Sequence, residues 1–534
     1  MAGIFHSLSA RVAFALSFTI ALALGCTAAE ARPTAPPQDN PAAAYELEWV
    51  DDLPWSRVVS IEDFEGEDDH ARLAAAKDEL GQEGGVIYFP AGTYRFDRDI
   101  VLRDGMILRG ETPEGQTDAR QEDYALGTRI RFPEFEPSLE GEGTPAAGAF
   151  PLIRLAQPST DANVGVVNVH IDSGTIAFRD GEDRAAGRNR LVFGNILTRA
   201  VRLNPDIPDG DRGQHGWQRY PLRHHGAINI YSEENVLAAN NRLPESEGSY
   251  RMPGYVVEGW DGPEPFDVLF DYNNRSGIRV NVYSIGGGGT RDPHGTPETH
   301  PHGFRKGTVI RDNYIYHTGR GAIAFSADGA RVIDNVSRMK PDFQRFTHTG
   351  LHRSYGSSTN GNRAMMMRGW NNHIEGNDYT VYRNTAADGV YPINCGEGLM
   401  HEGHANSTIR NLTLLNNTGN AYLSLYMTAG IDGLHIEGND IQMRGGIAPI
   451  YVRSDRTWDR HPVKNVKIIN NITGVRSGNS GIYIAGEPSE NNVIRGNRHV
   501  GDEPGTIAIL AEDVVVEDNE NYEIEHREQR IRER

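Results

Sequence analysis

The stretch VIYFPAGTYRF, Val86–Phe96, decides how the chain is read. It sets two β-favouring runs on either side of Pro90-Ala91-Gly92. Pro removes a ladder donor and Gly tolerates turn geometry, so the break is a turn and its flanks are strands. Upstream, Asp68 or Asp69 can cap a helix through ARLAAAKDEL, and Gly84-Gly85 ends the helical stretch. Downstream, IVLRDGMILRGE, Ile100 to Glu111, repeats the strand–turn–strand theme.

The theme continues along the chain as a repeat. Alternating apolar segments ending in Asn recur: VLAANN, TVIRDN, RVIDN, HIEGN, TLLNN, VKIINN, VIRGN and VVEDN. Their Asn positions include Asn313, Asn335, Asn377, Asn416, Asn439, Asn470, Asn497 and Asn519. The shortest intervals are 335 − 313 = 22, 439 − 416 = 23 and 519 − 497 = 22. Such a period fits one solenoid coil of short strands, and longer intervals fit coils with inserts. Asn tolerates left-handed turns and its amide can ladder with the next coil, so these residues are read as structural. A chain of 534 residues is too long for one compact core, and 60 Gly with 38% hydrophobic residues favour a turn-rich fold.

The order helix, GGVIYFPAGTY, DGMILRGE resembles the opening of right-handed parallel β-helix proteins of the pectate-lyase (pectin lyase-like) superfamily. There the helix caps the open end of the solenoid. The resemblance implies an all-β chain: a right-handed parallel β-helix (solenoid) with an N-terminal capping helix and long loop inserts. It covers Asp68 to Glu111 closely and the coil pattern more loosely to Asn519. The scaffold carries lyases, hydrolases, epimerases and non-catalytic proteins, so it implies a fold more than a reaction. The pectate-lyase Trp-Ile-Asp-His and Arg-x-Pro-x-x-Arg stretches are absent, as are the polygalacturonase Asn-Thr-Asp, Gly-His-Gly and Arg-Ile-Lys stretches. No catalytic residue is carried over.

A second register precedes the Asn pattern, in GAINIYSEE, GIRVNVYS, GAIAFSAD, AYLSLYMT and GIYIAGE. Side chains alternate faces on a strand. Ile228/Ile230, Ile278/Val280/Val282, Ile323/Phe325, Leu423/Leu425 and Ile482/Ile484 are expected inside. Asn229, Tyr231, Arg279, Asn281, Tyr283, Ser326, Ser424, Tyr426 and Tyr483 are expected on one outer face. Flat rings flanked by hydrogen-bonding groups suit a carbohydrate chain. Beside these strands lie Arg223, His224, His225, Arg275, His317, Arg320, His348, His352, Arg353 and Tyr355. In a chain of net charge 53 − 73 = −20 this row is a local contrast. It reads as a cleft for an acidic polysaccharide, whose carboxylates or sulfates arginine holds by forked hydrogen bonds. The alternative is pairing with the plentiful Asp and Glu. The acidic balance argues against a nucleic-acid partner.

Cleaving a uronic-acid polymer by β-elimination needs a neutralised carboxylate, a base and an acid. Arg320 and Arg279 are the candidates for neutralisation, His317, His225 and His352 for the base, and Tyr283 or Tyr355 for the acid. Calcium held by carboxylates would neutralise equally well, but no specific calcium motif is present. Substrate contacts are expected from Arg223, His224, Asn229, Tyr231, Arg275, Asn281, Ser326, Asp328, Arg353 and Tyr426. Hydrolysis is the rival chemistry and needs two carboxylates, with Asp328, Asp388 and Glu397 the candidates. A non-catalytic glycan-binding surface protein is the third reading.

In CGEGLMHEGH, Cys395 to His404, the two His are three apart and miss the helical zinc signature by one residue. Strand geometry sends His401 and Glu402 to opposite faces, so no metal site is assigned. Glu397, His401 and Glu402 are read as cleft wall, with Glu397 falling just after the strand GVYPIN. The insert Gly286 to Gly307 is read as a loop walling the cleft, its His294, His300 and His302 matching no metal spacing.

Arg11 precedes a thirteen-residue apolar run, Val12 to Leu24, which suits a signal-peptide core and is too short to span a bilayer. Ala23-Leu24-Gly25-Cys26 resembles a bacterial lipobox, making Cys26 the candidate lipidated residue. Cleavage after Ala31 is the alternative. Either route places the mature chain outside the cytoplasm, lipid-anchored at a bacterial membrane or secreted. Loss or lipidation of Cys26 leaves Cys395 without a disulfide partner. The expected organisation is signal peptide 1–25, Ala/Pro-rich linker 26–45, one β-helix domain 46–520 and a charged tail 521–534. A monomer is expected.

Overall fold

The computed structural model describes residues 36–133, 139–140, 144–145, 153–155, 162–178, 187–200, 227–246, 249–255, 266–271, 276–281, 305–317, 321–339, 363–381, 397–401, 409–425, 430–443, 448–454, 461–475 and 480–527. Among these residues three long sheets of parallel strands dominate. Sheet A has 15 strands, from Val58–Ser60 to Val514–Glu517. Sheet B has 12, from Gly92–Arg95 to Arg498–His499. Sheet C has 13, from Ile100–Leu102 to Tyr522–His526. One coil visits each sheet in turn, as in Val164–Val167, His170–Asp172 and Ile176–Phe178. The chain is a right-handed parallel β-helix.

Capping at the N-terminal end follows the sequence reading. Asp68 accepts a hydrogen bond from the Ala71 amide at 2.7 Å and starts the helix Asp69–Leu80. Leu73, Ala76 and Leu80 are buried against the first coil, in one cluster with Ile87 and Phe89. That cluster runs on through the solenoid to Ile507 and Ile509.

The turn from sheet A to sheet B repeats with little change. The strand ends, one residue adopts a left-handed backbone, and a buried Asn follows. Asn416 (φ 53°) precedes Asn417 and Asn470 (φ 56°) precedes Asn471. At Gly438 (φ 67°), before Asn439, an added Cβ would collide with Asn416 Oδ1. The second residue forms the ladder. Each Nδ2 donates to the next Oδ1 at 2.8–3.1 Å through Asn195, Asn241, Asn313, Asn335, Asn377, Asn417, Asn439, Asn471, Asn497 and Asn519. The expected ladder is one residue out at two coils. Asn416 and Asn470 take the left-handed position, and their successors take the ladder.

Two boundaries differ from expectation. Residues 38–45, read as linker, pack on the outer face of sheet A. Ala42 joins Val50, Leu53 and Trp55 over Val86, Ile107, Leu191, Leu237 and Val309. Arg109, fully buried, donates to Asp39 Oδ1 at 3.0 Å. Tyr45 donates to Asp312 Oδ2 at 3.0 Å. At the other end Tyr522–His526, read as tail, pairs with Gly505–Leu510. Backbone pairing needs no apolar side chains, so charge density alone did not reveal it.

Asn439→Ala removes acceptors used by the Asn417 amide and side chain, and donors to Leu414 and Asn471. It should lower unfolding free energy by about 3 kcal/mol in denaturant titration, since several buried groups lose partners. A chain starting at residue 46 should melt several degrees below one starting at residue 38, because Arg109 then loses its carboxylate.

Candidate functional site

Connection lengths single out one face. Every described turn from sheet A to sheet B spans two residues except 111–127. Several connections bordering sheet C are long, among them 199–227, 244–275, 281–305, 340–362 and 381–396, while others such as 318–320 and 329–330 are short. The antiparallel hairpin Ser249–Tyr255 with Phe266–Asp271 lies within one of them. Long connections on a rigid scaffold are where binding groups gather.

Register gives the composition of the face. Across sheet C one column runs Arg154, Ala177, Asn229, Arg279, Ala324, Met366, Met400, Ser424, Tyr451 and Tyr483. Its strand neighbours Ile278, Val280, Ile323, Phe325, Met365 and Met367 belong to the interior cluster. Ala324 and Met366 form a separate cluster, as outward side chains must. A second outward pair is Ser326 beside Arg368, and a third is Asp328 beside Trp370. Asn229, Arg279, Asn281 and Ser326 face outward as expected, but they are buried rather than exposed. Parallel strands bring column neighbours to roughly 4.8 Å, close enough to shield one another.

Polar contacts are strongest at the edge of the face. Asn371 Nδ2 donates to Asp328 Oδ1 at 2.6 Å, and the Asp328 amide donates to Arg305 O at 3.0 Å. The Arg410 guanidinium stacks 4.5 Å from the centre of the Trp370 ring. Arg363 Nη1 lies 3.4 Å from Met366 Sδ. Farther along the column the Tyr451 and Tyr483 rings lie 4.9 Å apart at 33°, turned towards each other. Each covers one ring face of the other, and Tyr483 stands in the outward column and is part-exposed.

A different polar cluster sits on sheet B. Asp172 is buried and takes hydrogen bonds from Arg199 Nη2 at 2.6 Å and Nε at 2.8 Å. Arg129 Nη2 is 3.4 Å away. Burial pushes the Asp172 carboxyl up, but Arg199 and Arg129 outweigh it and hold it below its ordinary value. His170 Nε2 is 2.8 Å from Thr198 Oγ1, which lies 3.3 Å from Asp172 Oδ1. Burial, aided by the Arg129 charge, holds His170 down at about 4. Among the described residues, no group of three His, Cys, Asp or Glu could hold a metal ion.

No family model matches this chain, and no curated protein matches it. Solved structures do match. The A-module of the mannuronan C-5 epimerase AlgE6 of Azotobacter vinelandii is 12% identical over 88% of this chain and 96% of its own, with a TM-score of 0.34. The surface adhesin PfbA of Streptococcus pneumoniae is 13% identical over 88% and 91%, at 0.38. The tailspike protein of E. coli bacteriophage HK620 is 11% identical over 88% and 80%, at 0.44. Likeness at this level says nothing of the reaction, the substrate or the partner.

The structure places the expected residues unevenly. Asn229, Arg279, Asn281, Ser326 and Asp328 share the outer face of sheet C, and Tyr231 follows its strand Ile228–Ile230. His317 ends the sheet B strand Tyr314–His317, at the register of the core residue Met339, with three residues between it and the sheet C strand Gly321–Asp328. Glu397 opens the strand Glu397–His401 instead of following one, and pairs in register with Arg363. His401 stands at the register of Met367, a core position. Arg223, His224, His225, Arg275, Tyr283, Arg320, His352, Arg353, Tyr355, Glu402, Tyr426 and Cys26 lie outside the described residues, as do His294, His300, His302, Asp388 and GVYPIN. Lys306 and Gly307, read as loop, begin the strand Lys306–Arg311.

Arg363, Arg368 and Trp370 were missed. The apolar run Met365–Met367 hides the alternation of RAMMMRGW, because Met366 points outward. The available signal was length: eight residues stand between Asn362 and Asn371-Asn372.

Folded His170 takes its proton near pH 4, whereas the unfolded chain takes it near the ordinary 6.5. Below pH 6.5 the unfolded state therefore binds more protons. His170's contribution is complete above pH 6.5 and should be lost as pH falls towards 4, on the order of 3 kcal/mol. Denaturant titration from pH 7 to 4 should show this loss in the wild-type chain and a shallower one in His170→Gln.

Proposed function

We propose that the chain is an exported enzyme that cleaves an acidic polysaccharide by β-elimination on the outer face of sheet C. The observation that carries this reading is the set Arg279, Arg363 and Arg368 on the two sheet C strands that flank Gly321–Asp328, against one outward carboxylate, Asp328, on these three strands. In a chain of net charge −20, such a face favours a polyanion. Arginine forks hold and neutralise a uronate carboxylate, which makes the neighbouring carbon acidic.

The remaining roles fall to the segments that border sheet C. His317, His225 or His352 takes the proton, Tyr283 or Tyr355 protonates the leaving oxygen, and Arg279 or Arg320 neutralises the carboxylate. The C–H electron pair becomes the new double bond as the glycosidic C–O bond breaks. The signal-like N-terminus supports an extracytoplasmic location, with Cys26 lipidated or the leader cleaved after Ala31.

Uronic-acid and sulfated polysaccharides should be tested with near-ultraviolet absorbance and reducing-end assays together. Both signals should rise on the true substrate. Reducing ends alone would mark a hydrolase, and binding without either signal a glycan-binding protein. Arg279→Ala should lower kcat/KM about a hundredfold, the loss of roughly 3 kcal/mol of charge stabilisation. Full activity in that variant would remove Arg279 from the mechanism.

A further inference from the structure

We propose that residues 531–534 add one more strand to sheet A, stacked on Val514–Glu517, and so close the C-terminal end of the solenoid. Among the described residues that end is open. Val514–Glu517 is paired on one side, with Asn492–Arg495, and Tyr522–His526 on one side, with Gly505–Leu510. The last coil continues the inward columns: Val516 stands at the register of Ile494, and Ile524 at that of Ile507. Three large apolar residues are exposed among the described residues, and all lie at this end: Val500 (46%), Val515 (46%) and Ile524 (53%). At the other end the helix Asp69–Leu80 covers the first coil. A solenoid end needs a polar cap, and an unpaired strand edge is a template for another strand.

The spacing of the chain points to its own next residues as the occupant. Short turns lead from sheet C to sheet A after Asp328, Trp370 and Leu510. Each sets inward residues seven apart: 332 − 325 = 7, 374 − 367 = 7 and 516 − 509 = 7. His526 holds the column of Ile509 in the last coil, and the Arg527 amide still donates to Ile509 O at 3.0 Å. Residues 528–534, EQRIRER, lie outside the described residues. The same step from His526 puts Glu533 at the register of Val516. Ile531 then falls on Val514, Arg532 on Val515 and Arg534 on Glu517. Ile531 extends the side on which Val514 packs against the core. The Arg532 stem covers exposed Val515. Arg534 continues the column in which Arg495 stands beside Glu517. Glu533 and His526 supply the polar end of the cap.

Charge favours the same occupant over a second copy. Residues 512–526 hold seven carboxylates and no Lys or Arg, whereas Arg530, Arg532 and Arg534 follow. A second copy docked through the same end would bring its own seven carboxylates. The turn is where the sequence fits least well. Four residues after the inward sheet C residue, each short turn has a left-handed residue: Gly329 (φ 78°), Asn371 (55°) and Asp513 (52°). The matching position after His526 is Arg530, which lacks the short polar side chain that favours this region.

Amide hydrogen exchange of the full chain, read over Val514–Glu517, tests the closing strand. Ile531→Ser and Arg534→Glu should each speed exchange there at least tenfold, while the distant sheet A peptide 431–437 stays unchanged. Arg530→Asn should slow it severalfold, although it removes a positive charge. The same exchange in the wild-type chain and all three variants overturns the proposal. Faster exchange in Arg530→Asn marks attraction by charge without the turn and overturns the strand. Protection that rises with protein concentration and ignores Ile531→Ser assigns the end to a second copy and overturns it as well.

Discussion

The solenoid depends on how one corner is closed in coil after coil. Where sheet A ends, the backbone must turn within two residues, and the groups it exposes are buried. A left-handed residue makes the turn, and an Asn behind it supplies the missing donors and acceptors. Asn377 is representative: its amide donates to Asn417 Oδ1 at 3.1 Å, and its Nδ2 reaches Val332 O at 3.0 Å. The link passes to the next coil unchanged, so strand register is handed on with it. An Ala at such a position would strand several buried groups, each costing on the order of 1–3 kcal/mol.

A corner held this tightly has no room for insertions, and the chain places them elsewhere. All but one of the described A-to-B turns keep two residues, while several connections bordering sheet C lengthen to a dozen or more. Sheet C is thus the sheet with the most variable borders. Its strands Gly321–Asp328 and Arg363–Trp370 are the longest in the sheet among the described residues, and they carry its cationic and aromatic edge together. The rigid ladder on one corner and the built-up face opposite its turns are two results of the same constraint.

Some of this was legible in the sequence and some was not, for physical reasons. The Asn-ended segment is local and recurs from coil to coil, so the coil and its ladder could be read directly although the interval between ladder residues runs from 22 to 72. Asn416 and Asn470 were misread because either residue of an Asn-Asn pair satisfies the pattern, and only backbone geometry separates the left-handed one from the ladder one. The inward set Ile278, Val280, Ile323 and Phe325 followed from alternation alone. Burial of the outward set did not follow, since it depends on side chains one coil away rather than on sequence neighbours. Arg368 and Trp370 stayed hidden behind a methionine run. The cluster of Arg129, His170, Asp172 and Arg199 draws on three strands of sheet B that no local pattern connects.

The central claim is that ligand meets the protein on the outer face of sheet C and not on sheets A or B. Amide hydrogen exchange, with and without a bound acidic oligosaccharide, reads this most directly. Protection should rise in peptides covering 276–281, 321–328 and 363–370, while sheet A peptides such as 431–437 and 463–469 stay unchanged. Protection confined to sheet A or sheet B, with sheet C unaltered under saturating ligand, would contradict the account.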